Sequence, residues 1–203
     1  IIYQLVKQFI MNNDIILAGV GGQGILSIAA AIGLAAVNSN LHIKQSEVHG
    51  MSQRGGDVQS HLRISDAPIA SDLIPAGKAH LIISVEPMEG LRYMPFLSKN
   101  GWLVTNITPF DNIPDYPKVD EILKRVKAVK NHIALDADSI AKECGSTKAS
   151  NIVMLGAASP FIDIPAAGIE EGIRQLFNRK GEDIVNLNLK AFRAGREYSE
   201  MNR

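Results

Sequence analysis

Cysteine, aromatic residues and net charge are all scarce in this chain, and each scarcity removes a class of function. Among 203 residues the only cysteine is Cys144, so no intrachain disulfide can form and no thiolate set can hold an Fe–S cluster or a structural zinc ion. Its Lys-Glu-Cys-Gly setting at a helix end reads as the packing of a small hydrophobe. The five histidines, at positions 42, 49, 61, 80 and 132, include no His-x3-His pair, and no metal site is expected. Lysine plus arginine (21) balance aspartate plus glutamate (21), so the chain lacks the basic excess that phosphate neutralisation needs, and nucleic acid is not expected as a partner. No apolar run reaches the roughly 18 residues that span a bilayer. The expectation is a cytoplasmic protein without a membrane segment.

What is present is small and aliphatic. Hydrophobic residues make up 46% of the chain while aromatics make up 5%, a mixture suited to a parallel sheet packed between helices. The first ten residues, IIYQLVKQFI, are amphipathic but lack the apolar core and cleavage site of a signal peptide. Residues 1–13 are therefore set apart as an N-terminal extension, and residues 14–203 read as a single domain.

Strand and helix signals alternate along that domain. Asp14–Val20, Leu41–Val48, Asp57–Ile64, Ala79–Glu86, Gly101–Ile107 and the stretch NHIALDA read as strands. Gly24–Asn38, the stretch from the fourth strand to Leu97, VDEILKRVKAV, a segment capped by Asp138 and stopped by Gly145, the buried NIVMLGAAS, and two pieces after Pro165 broken near Lys180-Gly181 read as helices. Thr108–Pro117 is a proline-rich loop. This order predicts an α/β fold: a doubly wound, mostly parallel open sheet with helices on both faces, Rossmann-like.

Two motifs carry chemistry. GVGGQG places Gly19, Gly21 and Gly24 in the G-x-G-x-x-G pattern between a strand and a helix, the setting of a dinucleotide fingerprint. The acid that should grip a ribose about 20 residues on is absent from IKQS, with Glu47 arriving late, and Gln23 adds an amide such binders do not need. Three readings stay open: an NAD(P)-binding oxidoreductase, an anion site at the N–H groups of Gly22 to Gly24, and a turn shaped for close packing. Gln23 either caps the turn from within or reaches a partner's site. The second motif, SEVHGMSQRGG, crowds polar side chains around glycines but has no nucleophile elbow. Arg54 beside Gly55 and Gly56 offers a planar cation to a flat or anionic group, or else a tie to Glu47.

Together, GVGGQGILSIAA, KQSEVHGMSQRGGDVQSHLRI, LIPAGKAHLIISVEPMEGLRYMPFL and NIVMLGAAS resemble the gamma-type subunit or domain of 2-oxoacid:ferredoxin oxidoreductases, closest to the beta-subunit type of indolepyruvate:ferredoxin oxidoreductases. The resemblance spans Asp14 to the C-terminal helices. It implies a complex that oxidatively decarboxylates a 2-oxoacid, an aryl pyruvate, to acyl-CoA and CO2. Thiamine diphosphate, Fe–S clusters and coenzyme A would belong to that assembly, and none is expected on this chain alone. The implied partners are a large thiamine and Fe–S subunit, ferredoxin through the complex, and a second heteromer in a homodimer. No catalytic residue is assigned to this chain. Its binding or interface candidates are Gly21, Gly22, Gln23, Gly24, Ser46, Glu47, His49, Ser52, Arg54, Gly55, Gly56 and Glu86. One departure from relatives is Ala79-His80, where Ala-Asp is usual.

Overall fold

A computed structural model describes residues 11–50, 56–111, 113 and 115–203. Its centre is a six-stranded sheet in the order β2-β3-β1-β4-β5-β6. The strands are β1 (Asn12–Val20), β2 (His42–His49), β3 (Asp57–Ser65), β4 (Ala79–Ser84), β5 (Leu97–Asn106) and β6 (His132–Leu135). β1, β4, β5 and β6 pair in parallel, while β3 runs antiparallel to both β1 and β2. Five strands therefore share one direction and β3 alone is reversed. The expected mostly parallel, doubly wound sheet is present, with a β2–β3 hairpin built into it.

β1 is central because its residues are apolar on both sides. Ile15 and Leu17 face the larger core; Ile16 and Ala18 face the smaller. Burial on both faces explains why DIILAGV reads as a continuous apolar run rather than an alternation. The larger core is covered by α1 (Ile25–Asn38), α4 (Ala137–Cys144), α5 (Ser150–Ala158), α6 (Ala166–Phe177) and α7 (Glu182–Asn202). The smaller is covered by α2 (Pro87–Arg92), α3 (Val119–Lys127) and the short Met94–Phe96 turn. Cys144, half-buried at the end of α4, packs against the larger core.

α5 is buried throughout from Asn151 to Ala158. It meets α7 backbone to backbone: a Cβ on Gly156 would overlap the Phe192 carbonyl, and one on Gly195 would overlap the Val153 carbonyl. The small-residue face of NIVMLGAAS is thus a helix-crossing surface.

Several boundaries differ from the sequence reading. The N-cap of α4 is Asp136, whose carboxylate accepts from the Ser139 N–H (2.9 Å) and hydroxyl (2.7 Å); these bonds hold its pKa below the usual carboxylate range. Asp138 lies in the first turn instead. β4 ends at Ser84, because Glu86 starts α2 as its N-cap. β5 begins at Leu97, not after an Asn-Gly turn, and absorbs Asn100-Gly101 as an irregularity against β4. Gly145 does end α4, and α6 and α7 are separated at Asn178–Gly181.

Gly195→Ala should lower the unfolding free energy of the chain by about 1–3 kcal/mol, although alanine is the better helix former. Equilibrium urea unfolding measures it; an unchanged or raised stability would mean that α5 and α7 separate without loss.

Candidate functional site

The glycine turn and the hairpin meet at the carboxyl edge of β1. The β1–β3 ladder ends with Val20 opposite Asp57. One residue further, the Gly21 N–H donates to the Gly56 carbonyl at 2.9 Å, and the Gly50 N–H donates to the Asp57 carbonyl at 2.7 Å. The backbone itself therefore holds the two sequence motifs together. Within the turn, the Gln23 N–H donates to the Val20 carbonyl at 3.2 Å, and the Gln23 Oε1 accepts from the Val20 N–H at 2.8 Å. Gly24 has φ of 79° and a carbonyl that accepts from Asn151 Nδ2 at 3.0 Å, which latches the turn to the start of α5. Any side chain at position 24 would be strained in φ and would strike Asn151.

This geometry narrows the anion reading. The Gly21 and Gln23 N–H groups are already used, whereas among the described residues those of Gly22 and Gly24 donate to no backbone carbonyl. It also divides Gln23 in two. The amide oxygen caps the turn from within, and the amide nitrogen makes no hydrogen bond among the described residues.

Beside Gln23 opens a cleft of about 330 Å³ lined by Val85, Asn106, Thr108, Pro109, Phe110, Asp138, Ser150 and Met154. Its walls are the carboxyl ends of β1, β4 and β5 and the first turns of α4 and α5, where ligands meet open α/β sheets. Asn106 organises the wall: its Nδ2 donates to Asp138 Oδ2 at 3.0 Å, and its Oδ1 accepts from the Ala137 N–H at 3.0 Å. Sequence reasoning did not find Asn106, Asp138 or Ser150. Each sits at a strand end or helix start on this edge, a positional signal visible only once the strand order is known. Four exposed large apolar side chains, Leu26, Val48, Phe110 and Ile113, border the same edge.

The remaining candidates separate. Glu47 and His49 bond to each other on β2, on the face that α1 covers, while Ser46 points to the other face opposite His61. Ser52, Arg54 and Gly55 lie outside the described residues. Glu86 is wholly buried. Its carboxylate accepts from the Glu89 N–H at 2.8 Å, from the Phe110 N–H at 3.4 Å and from the Tyr116 hydroxyl, so it anchors the proline-rich loop that lines the cleft. Burial, then the Glu86 carboxylate, pushes the Tyr116 phenol up.

The NAD(P) reading does not survive the topology. A ribose-gripping acid must end the strand next to β1, and that neighbour is the reversed β3. Glu47 stands on β2, two strands and roughly 10 Å away. His80 accepts the Asp14 N–H at 3.0 Å near the opposite edge of the sheet, away from the cleft.

Beneath the hairpin lies an ionic cluster in which Glu89 and Tyr93 are buried, Asp57 is half-buried and Arg92 is exposed. Tyr93 donates to Asp57 Oδ2 at 2.6 Å, and Arg92 holds Glu89 through two bonds of 2.8 and 3.1 Å. Burial pushes the Glu89 carboxyl up to about 7; the Arg92 guanidinium opposes the rise and the Asp57 charge adds to it. Among the described residues no group of His, Cys, Asp and Glu is placed to hold a metal, and a lone thiol does not fit an Fe–S cluster. No helix among them is long and apolar enough to cross a membrane.

Residues 14–198 match the family model described as pyruvate ferredoxin/flavodoxin oxidoreductase. The chain is 38% identical over 196 residues to the indolepyruvate oxidoreductase subunit IorB of Archaeoglobus fulgidus, covering 91% of this chain and 94% of that one. It is 37% identical over 192 residues to the subunit of the same name from Pyrococcus horikoshii, covering 90% and 93%. The keto/oxoacid ferredoxin oxidoreductase gamma subunit of Geobacter sulfurreducens shares the fold, with a TM-score of 0.68 at 24% identity over 93% of this chain and 99% of that one.

Two outcomes follow from this geometry. Gln23→Ala, which leaves the buried Val20 N–H without its acceptor, should lower chain stability by about 1–2 kcal/mol in urea unfolding, and Gln23→Glu should restore most of it. For Glu89, the folded pKa lies above the unfolded value, so its protonation stabilises the fold. That contribution is complete below pH about 4.5 and is lost as pH rises through about 7. His61, whose pKa burial lowers, acts oppositely, losing stability as pH falls below about 6.5. Comparing melting curves of the wild type and Glu89→Gln from pH 4.5 to 8 isolates the carboxyl: the two profiles should diverge across that window, and parallel profiles would refute the shift.

Proposed function

Because this chain belongs to the pyruvate ferredoxin/flavodoxin oxidoreductase family, we propose that it is the small subunit of an indolepyruvate-type 2-oxoacid:ferredoxin oxidoreductase, inactive alone and completed by a larger subunit. The assembled enzyme takes an aryl pyruvate and coenzyme A to the acyl-CoA, CO2 and a proton, and passes two electrons to ferredoxin. Thiamine diphosphate and the Fe–S clusters belong to the larger subunit in this reading, since a chain with one thiol cannot supply the ligand set of a cluster. The complex operates in the cytoplasm.

The observation that carries the proposal is the joined carboxyl edge. The Gly21-to-Gly56 bond brings the glycine turn against the hairpin, and the cleft beside Gln23 is open, with exposed Phe110 and the apolar Val85, Pro109 and Met154 in its lining. An open cleft with an apolar lining is half of a site: the lining gains only when a second surface covers it. The unengaged Gln23 amide nitrogen, the Ser150 hydroxyl and the Gly22 and Gly24 N–H groups then face that second surface as donors. They can hold an anionic or carbonyl group brought by the larger subunit or its substrates.

Co-expression with the large thiamine and Fe–S subunit from the same source tests this. The purified small chain should contain no iron and turn over no oxoacid. The co-purified complex should reduce viologen with coenzyme A and an aryl pyruvate, faster than with pyruvate or 2-oxoglutarate. Substantial turnover by the small chain alone, or no aryl preference in the complex, would refute it.

A further inference from the structure

On the face of the sheet away from α1, a groove runs between α2 and α3 from the proline-rich loop to the opposite, amino edge of the sheet. Two adjoining depressions form it, sharing Leu91 and Arg125. Its floor is apolar, with Met88 and Ile122 at the loop end and Met94, Leu97 and Val129 at the other. Its far end is cationic: Lys99, Arg125 and Lys130 stand on the rim, exposed, with no acid among the residues lining that depression.

The charge is concentrated there against the composition of the chain. The whole sequence is neutral, yet from Ile122 to Leu135 there is no Asp or Glu, and Lys124, Arg125, Lys127 and Lys130 fall within those residues. No salt bridge among the described residues engages these four or Lys99, and the residues outside the description contain no Asp or Glu to pair them. Complementing the α3 dipole accounts for cations in its last turn. It does not account for Lys99 and Lys130, which lie outside the helix and converge on the same apolar trough. At the loop end the rim carries Glu121 beside Arg92, which Glu89 already holds.

We propose that this groove seats an acidic, amphipathic segment of the larger partner subunit, its apolar side on Met94, Leu97 and Val129 and its carboxylates on Lys99, Arg125 and Lys130. The inference rests on the small-subunit reading above and extends it. Contact between the subunits begins at the carboxyl edge, and the groove starts where that edge ends, at Pro117 and Met88, so an arm leaving the first contact enters the trough directly. An apolar floor with charged rims is the usual form of a groove that receives an amphipathic segment, and the rim charges set its partner's sign.

The test is association of the two subunits as a function of salt. Wild-type chain immobilised on a sensor should bind the purified large subunit with an affinity that falls between 50 and 500 mM NaCl. The triple variant Lys99→Glu, Arg125→Glu, Lys130→Glu should bind at least about tenfold more weakly at 50 mM, with the gap closing at 500 mM as screening shortens. All three residues are exposed, so the variant's melting temperature should match the wild type and serves as the folding control. As a second measurement, Val129→Cys in a Cys144→Ala background, alkylated with a maleimide-benzophenone, should photo-crosslink to the large subunit, mapped by mass spectrometry to an acidic segment. Equal affinity and equal salt dependence of the triple variant, or a crosslink to a basic or neutral segment, would overturn the proposal. Failure of the wild-type chain to bind the large subunit at any salt would instead strike the small-subunit reading itself.

Discussion

The backbone bond from the Gly21 N–H to the Gly56 carbonyl is the point on which the functional edge turns. It exists because β3 runs backwards between β1 and β2, so the end of the hairpin loop returns to where β1 stops. Had β2 followed α1 into the place beside β1, the glycine turn would face an acid at a strand end, as in dinucleotide binders. Instead the turn is braced by backbone on one side and by Asn151 on the other. A turn held at both ends presents its remaining donors in fixed positions, which is what a site completed by another chain requires.

The same edge shows how burial is distributed between stability and contact. Glu86, a binding or interface candidate from the sequence, is wholly buried and ties α2 to the proline-rich loop. Thr108, Pro109 and Phe110 line the cleft above it, so a charged residue with no access to the cleft positions the residues that have it. Below the hairpin, the Asp57, Tyr93, Glu89 and Arg92 cluster couples the first residue of β3 to α2. Protonation of Glu89 near neutrality therefore bears on the footing of the hairpin as well as on α2.

Some of this was legible in the residues themselves. DIILAGV had to be a doubly buried strand because it offers no polar face, and NIVMLGAAS had to be a buried helix because it is apolar nearly all round; that it crosses α7 backbone to backbone came only from the fold. The glycine turn between strand and helix was likewise local, since αL geometry at Gly24 depends on the absence of a Cβ. Local physics also misled in places: Asp138 has the composition of an N-cap, yet Asp136 takes the role because the helix starts one residue after it, and Asn106 claims Asp138.

What the sequence determined by itself, then, were properties of short range: burial patterns of period two and 3.6, turn glycines, and a single thiol unable to hold a cluster. These are set by sterics and solvation within a few residues, and no distant contact alters them. The tertiary structure alone decided which strand stands beside β1, and with it the fate of Glu47, the pairing of the two glycine motifs and the cleft between Gln23, Asn106 and Ser150. Strand order is a long-range choice, fixed by how two cores on opposite faces of one sheet are filled at once. The groove between α2 and α3 belongs to the same category: Lys99 and Lys130 are far apart along the chain, and only the seating of the α3–β6 connection on β5, where Asn131 Nδ2 donates to the Asn100 carbonyl, brings their charges onto one trough.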